Sequence, residues 1–197
     1  ATEETITIPA GGSVVFSKDL TVQNPRLWNG KEDPYLYQVD LTVTGEGKTL
    51  DTLTQYVGFR YYAVDYDKGF FLNGESYPLR GVSRHQDREN MGSALTEKEH
   101  SEDFALIYEI GANSVRLAHY PQAPYFYELC DKYGIVAWAE IPFVNIVGGS
   151  GSYENPDANR KAFFETTKQQ LTELIRQQYN RPSICFWGLQ NEVLAFE

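Results

Sequence analysis

Six residues of this sequence carry side chains suited to proton transfer and polar recognition, and all but Arg116 recur at the same point of a repeating pattern. They are His85, Arg116, His119, Glu140, Asn191 and Glu192. The last two close the stretch PSICFWGLQNEV, Pro182 to Val193, where a nearly all-apolar run finishes in an amide and a carboxyl. A carboxyl ending a buried strand is costly unless it is paired, hydrated or used. Glu192 is therefore the sharpest candidate for acid–base work, with a solvent-reached rim residue as the plain alternative. Asn191 offers both donor and acceptor, which suits a sugar hydroxyl or a helix cap. His119 ends one strand and His85 follows another. Alone, each reads as a structural hydrogen-bonder; two on one face point to a site. Arg116 lies inside a strand and needs a carboxylate, with Glu192 or Glu140 as partner. Glu140 ends a third strand, where it could support the acid or hold a cation. A Glu/His/Glu set without zinc-motif spacing does not specify a metal site. Cys185, among apolar neighbours, has no case as a nucleophile.

Alternating strands and helices would position these groups. A first strand is expected near Tyr77 to Val82, with Arg84 and His85 just beyond it. Thr96 with Glu99 three places on is a capping-box pattern that opens a helix. Phe104, Ile107 and Ile110 then recur at helical spacing until Gly111. His100, early in that helix, reads as solvent-facing. A second strand covers Asn113 to Tyr120. A second helix starts on Pro124, an apt first position, and stops at Gly134. A third strand covers Ile135 to Ile141, and the Gly/Ser-rich loop NIVGGSGSYENPD follows. A long helix is expected from about Ala158 to Tyr179, with Leu174 and Ile175 inward, and Asn180-Arg181-Pro182 stops it. SICFWGL is the fourth strand, and Trp138 and Trp187 read as core. Such βα units build a parallel sheet. The candidates gather at its C-terminal strand ends, where a (β/α) barrel forms its sites. No glycine-rich dinucleotide loop follows a strand, which weakens the doubly wound alternative.

Upstream the grammar is strand and turn. YLYQVDLTV, Tyr35 to Val43, alternates like a half-buried strand, TGEG turns, and KTLDTLTQYVGFR returns as its hairpin partner. GGSVVFSKDLTV alternates in part. Pro25 and Pro34 bracket a loop that holds Trp28, and no helix is expected there. Asn73-Gly74 signals a further hairpin. The strands are too few for a whole β-sandwich, so the reading is the latter part of one. The expected domains are residues 1–62, sandwich, and 63–197, barrel.

The balance of 27 acidic against 17 basic residues, net charge −10, repels phosphate backbones and argues against nucleic acid as partner. Two cysteines, Cys130 and Cys185, give no disulfide framework and read as buried thiols. No signal-peptide pattern opens the sequence, and no apolar run reaches the roughly 18 residues of a membrane span, so no membrane partner is expected.

Three ordered motifs now carry a resemblance. They are LNGESYPLRGVSRHQ, GANSVRLAHYPQAPYFYELCDKYGIVAWAEIP and NRPSICFWGLQNE. Together they resemble the β-galactosidases of glycoside hydrolase family two, over roughly Gly58 to Glu192. The upstream strands resemble that family's immunoglobulin-like domain. The implied fold is multidomain: a partial immunoglobulin-like β-sandwich followed by the first four β/α units of a TIM (β/α)8 barrel. Glu192 matches the family's general acid/base and Asn191 the residue that contacts the sugar 2-hydroxyl. His119 matches a histidine that stabilises the transition state, and His85 another subsite histidine. Arg116 matches a strand-two arginine that supports the carboxylates, and Glu140 a strand-three acid. Some members bind magnesium or sodium near the acid/base. EIPFVNIVGG departs from their metal-ligand pattern, so no metal residue is assigned.

Retaining glycoside hydrolysis needs two carboxyls roughly 5–5.5 Å apart, one protonated and one ionised. The resemblance places the nucleophile at the end of a seventh barrel strand, after the four strands read here. The expectation is thus a fragment of a β-galactosidase, itself silent, that acts on terminal β-galactosides as part of the parent enzyme. β-Glucuronidase and β-mannosidase relatives share the scaffold, and a non-catalytic carbohydrate-binding protein is the rival from another class. Edge strands of an open half-barrel invite self-association or a homo-oligomer. The resemblance implies bacterial cytoplasm or periplasm.

Overall fold

The computed structural model describes residues 2–144 and 156–193. The chain opens without strand or helix over residues 2–26. The partial alternation of GGSVVFSKDLTV therefore builds no strand there; Val15 is almost wholly exposed. Alternation supplies a face but no partner, and a strand without a partner leaves its backbone groups unpaired. Two short strands, β1 (Trp28–Asn29) and β2 (Asp33–Pro34), flank a single 3-10 turn at Gly30–Glu32, the one helical element in a loop read as helix-free. β3 (Tyr37–Gly45) and β4 (Lys48–Val57) pair antiparallel. Glu46 and Gly47 close them with φ of 52° and 74°, as the TGEG signal requires. Most of both strands is exposed rather than half-buried, because among the described residues no other strand pairs with this hairpin.

β5 (Tyr62–Asp65), β6 (Gly69–Leu72) and β7 (Glu75–Ser76) form a three-stranded antiparallel sheet that turns at Asn73-Gly74. From there the order is β8 (Gly81–Arg84), α1 (Glu97–Glu109), β9 (Ser114–Leu117), α2 (Pro124–Tyr133), β10 (Val136–Glu140), α3 (Pro156–Gln178) and β11 (Ile184–Gly188). The four strands run parallel in the order β11-β10-β9-β8. β8 starts later than Tyr77, since Pro78 has no N–H for a ladder. The Gly/Ser-rich loop falls mostly outside the described residues.

Local signals set the helix ends. Thr96 and Glu99 complete the capping box, with Glu99 Oε2 accepting from Thr96 N at 2.9 Å. Pro124 opens α2, and Gly134 ends it at φ 76° against the Gly30 carbonyl, which leaves no room for a Cβ. The helix-side face of the sheet supplies Val115, Leu117, Ala137, Ala139 and Ile184 to a core shared with Phe104, Phe126, Cys130 and Leu174. The other face carries Ser83, Ser114, Arg116, Trp138 and Phe186, which line an open cavity of about 260 Å³.

Three expectations about facing are corrected. His100 is buried in the helix layer, where its Nδ1 lies 3.0 Å from Arg84 Nη2. Arg84 is the cause: it points away from the strand ends to Asp103 and Gln122, so His100 packs beneath it. Burial first, and then Arg84, holds the His100 imidazole below its ordinary pKa. Trp138 is 42% exposed on the cavity face, while Trp187 is half-buried against the helix-side core. In α3, Leu174 and Gln178 are buried but Ile175 is 36% exposed.

The N-terminal ends of the strands rest on the upstream chain. Trp28 is fully buried with Phe70, Leu72, Val136 and Cys185, and its Nε1 donates to the Asp131 carbonyl at 2.8 Å. Arg60 donates to the carbonyls of Pro182 and Ile184 at 3.0 and 2.7 Å. Cys130 and Cys185 are free and buried, and burial pushes the Cys185 thiol up to about 11. The Asp131 carboxylate accepts from Ser183 Oγ at 2.6 Å, Ser183 N at 3.1 Å and Arg181 Nη1 at 3.1 Å.

Burial raises the Asp131 carboxyl to about 6, against the pull of Ser183 and Arg181 in the other direction. The folded state then holds this proton more tightly than the unfolded chain. Its contribution to stability is greatest below about pH 4 and is lost as pH rises through about 6. Urea midpoints measured from pH 4 to pH 7 are expected to lose that component of their slope in Asp131→Asn. An unchanged profile would place the titration elsewhere.

Candidate active site

The parallel register brings the C-terminal strand ends side by side: Ala139 lies opposite Leu117, and Glu140 opposite Gly188. Pleating puts Arg116 and Glu140 on the cavity side, and the chain beyond β9 brings His119 over them. Glu140 is 2% exposed. Its Oε1 accepts from Arg116 Nε at 2.6 Å, and its Oε2 lies 2.7 Å from His119 Nδ1. A carboxylate beside Arg116 is an acceptor, so Nδ1 carries the proton and donates to Glu140. That leaves His119 Nε2 for a ligand. Arg116 Nη2 also donates to Asn191 Oδ1 at 3.0 Å, while the Asn191 backbone N–H donates to the Phe143 carbonyl at 2.8 Å. The side-chain orientation of Asn191 is thus fixed from both β9 and the segment after β10. A buried carboxylate with both oxygens matched to donors holds its neighbours rigidly, and removing it would orphan Arg116.

Four candidates, Arg116, His119, Glu140 and Asn191, form one hydrogen-bonded network. His85 joins it by ring contact: its centroid is 5.1 Å from that of His119, edge to face. Arg116 takes Glu140 as its partner, not Glu192. Glu192 lies beyond the end of β11, not on a buried strand as its sequence context implied. It is exposed, has φ of 51°, and makes no hydrogen bond or ion pair among the described residues. It follows Asn191 in the chain and is an uncommitted carboxyl. Arg84, although at a strand end, belongs to the helix layer.

The implied magnesium or sodium finds no fit here. Among the described residues no three His, Cys, Asp or Glu side chains group to hold a metal, and both Glu140 oxygens are already taken. Two residues of the site escaped the sequence reading. Trp138 lies over Arg116, with 5.6 Å from the guanidinium carbon to the ring centroid, and Gly188 lies opposite Glu140. A glycine inside a strand signals a close approach of neighbours, and that signal was available at Gly188.

With this geometry in view, comparison with known proteins decides the family. The family model "Glycosyl hydrolases family 2, TIM barrel domain" matches residues 64–197, and "Glycosyl hydrolases family 2" matches residues 1–60. The chain belongs to glycosyl hydrolase family 2. Its architecture is accordingly part of the family's immunoglobulin-like sandwich followed by the first four β/α units of its TIM barrel. A β-glucuronidase of Bacteroides fragilis is 54% identical over 95% of this chain and 27% of its own length. A β-galactosidase of Bacteroides ovatus is 32% identical over 94% of this chain and 21% of its own. Among solved structures, β-glucuronidase 2 of Bacteroides uniformis, covalently bound to cyclophellitol-6-carboxylate aziridine, superposes with a TM-score of 0.81 at 43% identity, over 93% of this chain and 21% of that one. The chain therefore spans about a quarter of the length of these family 2 relatives.

Proposed function

We propose that the whole protein is a retaining β-glycosidase that removes terminal β-D-glucuronic acid, with Glu192 as its acid/base. The observation that carries the glycosidase reading is the Arg116–Glu140–His119–Asn191 network beside an uncommitted carboxyl. The network holds a sugar-binding amide and an imidazole in fixed directions and leaves Glu192 free to exchange a proton. In the first step Glu192 donates its proton to the glycosidic oxygen while a second carboxylate attacks the anomeric carbon. In the second, Glu192 takes a proton from water as that water displaces the enzyme carboxylate. Asn191 faces the 2-hydroxyl, and His119 and His85 hydrogen-bond the ring hydroxyls, contacts that strengthen as positive charge develops at C1.

Two observations support glucuronide over other sugars: the 54% identical relative is a β-glucuronidase, and the solved relative holds a 6-carboxylate ligand. β-Galactoside is the second reading, supported by the β-galactosidase of Bacteroides ovatus and by the WGLQNE context. Hydrolysis of 4-nitrophenyl β-D-glucuronide and β-D-galactoside by the whole protein separates them. A pocket built to pair a carboxylate rejects a substrate without one, so kcat/KM is expected to favour glucuronide by at least about 100-fold. The reverse ratio would move the reading to galactoside, and no turnover of either, with sugar binding retained, would leave a carbohydrate-binding protein. The 197-residue chain alone is expected to hydrolyse neither, since the family's attacking carboxylate belongs to a later barrel strand.

A further inference from the structure

Gly188 is the inner-face residue of β11 directly opposite Glu140. Its φ is not in the positive range, so its backbone conformation is open to any residue. What it lacks is space. A Cβ placed on Gly188 would overlap Trp138 Nε1, and would lie 2.6 Å from Glu140 Cγ and 3.0 Å from Glu140 Oε1. Both neighbours are engaged by other contacts. The Trp138 indole is stacked on Phe186, centroids 5.6 Å apart, with Arg116 against its ring. Glu140 is tied by one oxygen to Arg116 and by the other to His119.

We propose that Gly188 and Trp138 are positioning residues for the acid/base site: the empty position on β11 and the indole edge beside it form the socket that seats the Glu140 carboxylate. The effect reaches the sugar-binding groups through Glu140, because Arg116 Nε and His119 Nδ1 take their direction from its two oxygens, and Arg116 Nη2 passes that direction to Asn191 Oδ1. A methyl group at 188 pushes Glu140 toward β9, and the imidazole and the amide turn with it. The helix-side core lies on the opposite face of the sheet from the added atom.

This inference rests on the glycosidase reading for its kinetic consequence but not for its structural one, and two measurements keep them apart. In the chain itself, the ring-nitrogen NMR shifts of His119 report its Nδ1 bond to Glu140. Gly188→Ala is expected to move them while leaving the Trp28 indole N–H signal, at the far end of the strands, in place. In the whole protein, Gly188→Ala is expected to lower kcat about 100-fold, the usual consequence of an ångström-scale misplacement, with a smaller change in KM. Adding Trp138→Leu frees the indole side of the socket, and about tenfold of that loss is expected to return, a recovery that simple destabilisation would not give. Unmoved His119 shifts in Gly188→Ala would overturn the proposal, whatever the activity. Moved shifts in a protein that turns over no glycoside would leave the socket standing and remove the glycosidase reading instead.

Discussion

Glu192→Ala in the whole protein is expected to lower kcat/KM by about 10²–10⁴-fold on glycosides with poor leaving groups, the ordinary worth of a placed proton donor. The loss should shrink as the leaving group improves. A nitrophenolate departs with little help, whereas a sugar or alkyl alkoxide needs its proton. Exogenous azide should restore turnover on the activated substrate, because it attacks the glycosyl-enzyme without a base and fits where the carboxyl was removed. The product would then be a β-glycosyl azide. Two structural facts make this test clean. Glu192 is exposed and has no hydrogen bond or ion pair among the described residues, so its removal costs the fold little. Its chain neighbour Asn191 is held independently, by Arg116 and by the Phe143 carbonyl, so its position is expected to survive the substitution. An equal loss on all leaving groups, with no azide product, would mean that another group donates the proton.

Trp28→Ala is expected to destabilise the chain by about 3–5 kcal/mol, as large aromatic truncations in cores do. The indole is fully buried between β6 of the three-stranded sheet and the first residues of β10 and β11, and no water reaches the space it fills. Its N–H is also the donor to the Asp131 carbonyl, so truncation leaves a buried acceptor without its partner. With a urea dependence of about 2 kcal/mol/M, the midpoint followed by far-ultraviolet circular dichroism should fall by about 1.5–2.5 M. Tyr66→Ala, at a fully exposed side chain, should change stability by less than about 0.5 kcal/mol and serves as the control. A Trp28→Ala midpoint within that control range would mean that the upstream loop only leans on the barrel strands.

The pairing of these two expectations describes how the molecule divides its labour. Stability is concentrated at the N-terminal ends of the strands, where Trp28, Arg60 and the Asp131–Ser183–Arg181 group join the upstream chain to the sheet. The candidate site groups are concentrated at the opposite ends, where the buried Glu140 carboxylate holds Arg116 and His119 and Glu192 is exposed. Polar groups are costly in both places and are matched by hydrogen-bond partners in both.

Much of this was written in the sequence, because it depends on neighbours a few residues apart. The capping box at Thr96 and Glu99, Pro124 and Gly134 at the ends of α2, the Asn73-Gly74 turn and the alternation of strand and helix are local rules, and the order of parallel strands follows from them. That order alone places His85, His119, Glu140 and Asn191 at one end of one sheet. What only the tertiary structure decided is which way side chains face and which groups meet. Arg84 and Arg116 are both strand arginines in sequence, yet pleat and register send one into the helices and the other to Glu140. His100 is buried because Arg84 turned toward it, and Trp138 is exposed because its strand faces the cavity at that residue. Glu192 looked like the end of a buried strand, but β11 stops at Gly188, where the missing Cβ makes room for Glu140. Each of these outcomes turns on contacts between strands far apart in the chain, and a one-residue change of register would reverse them.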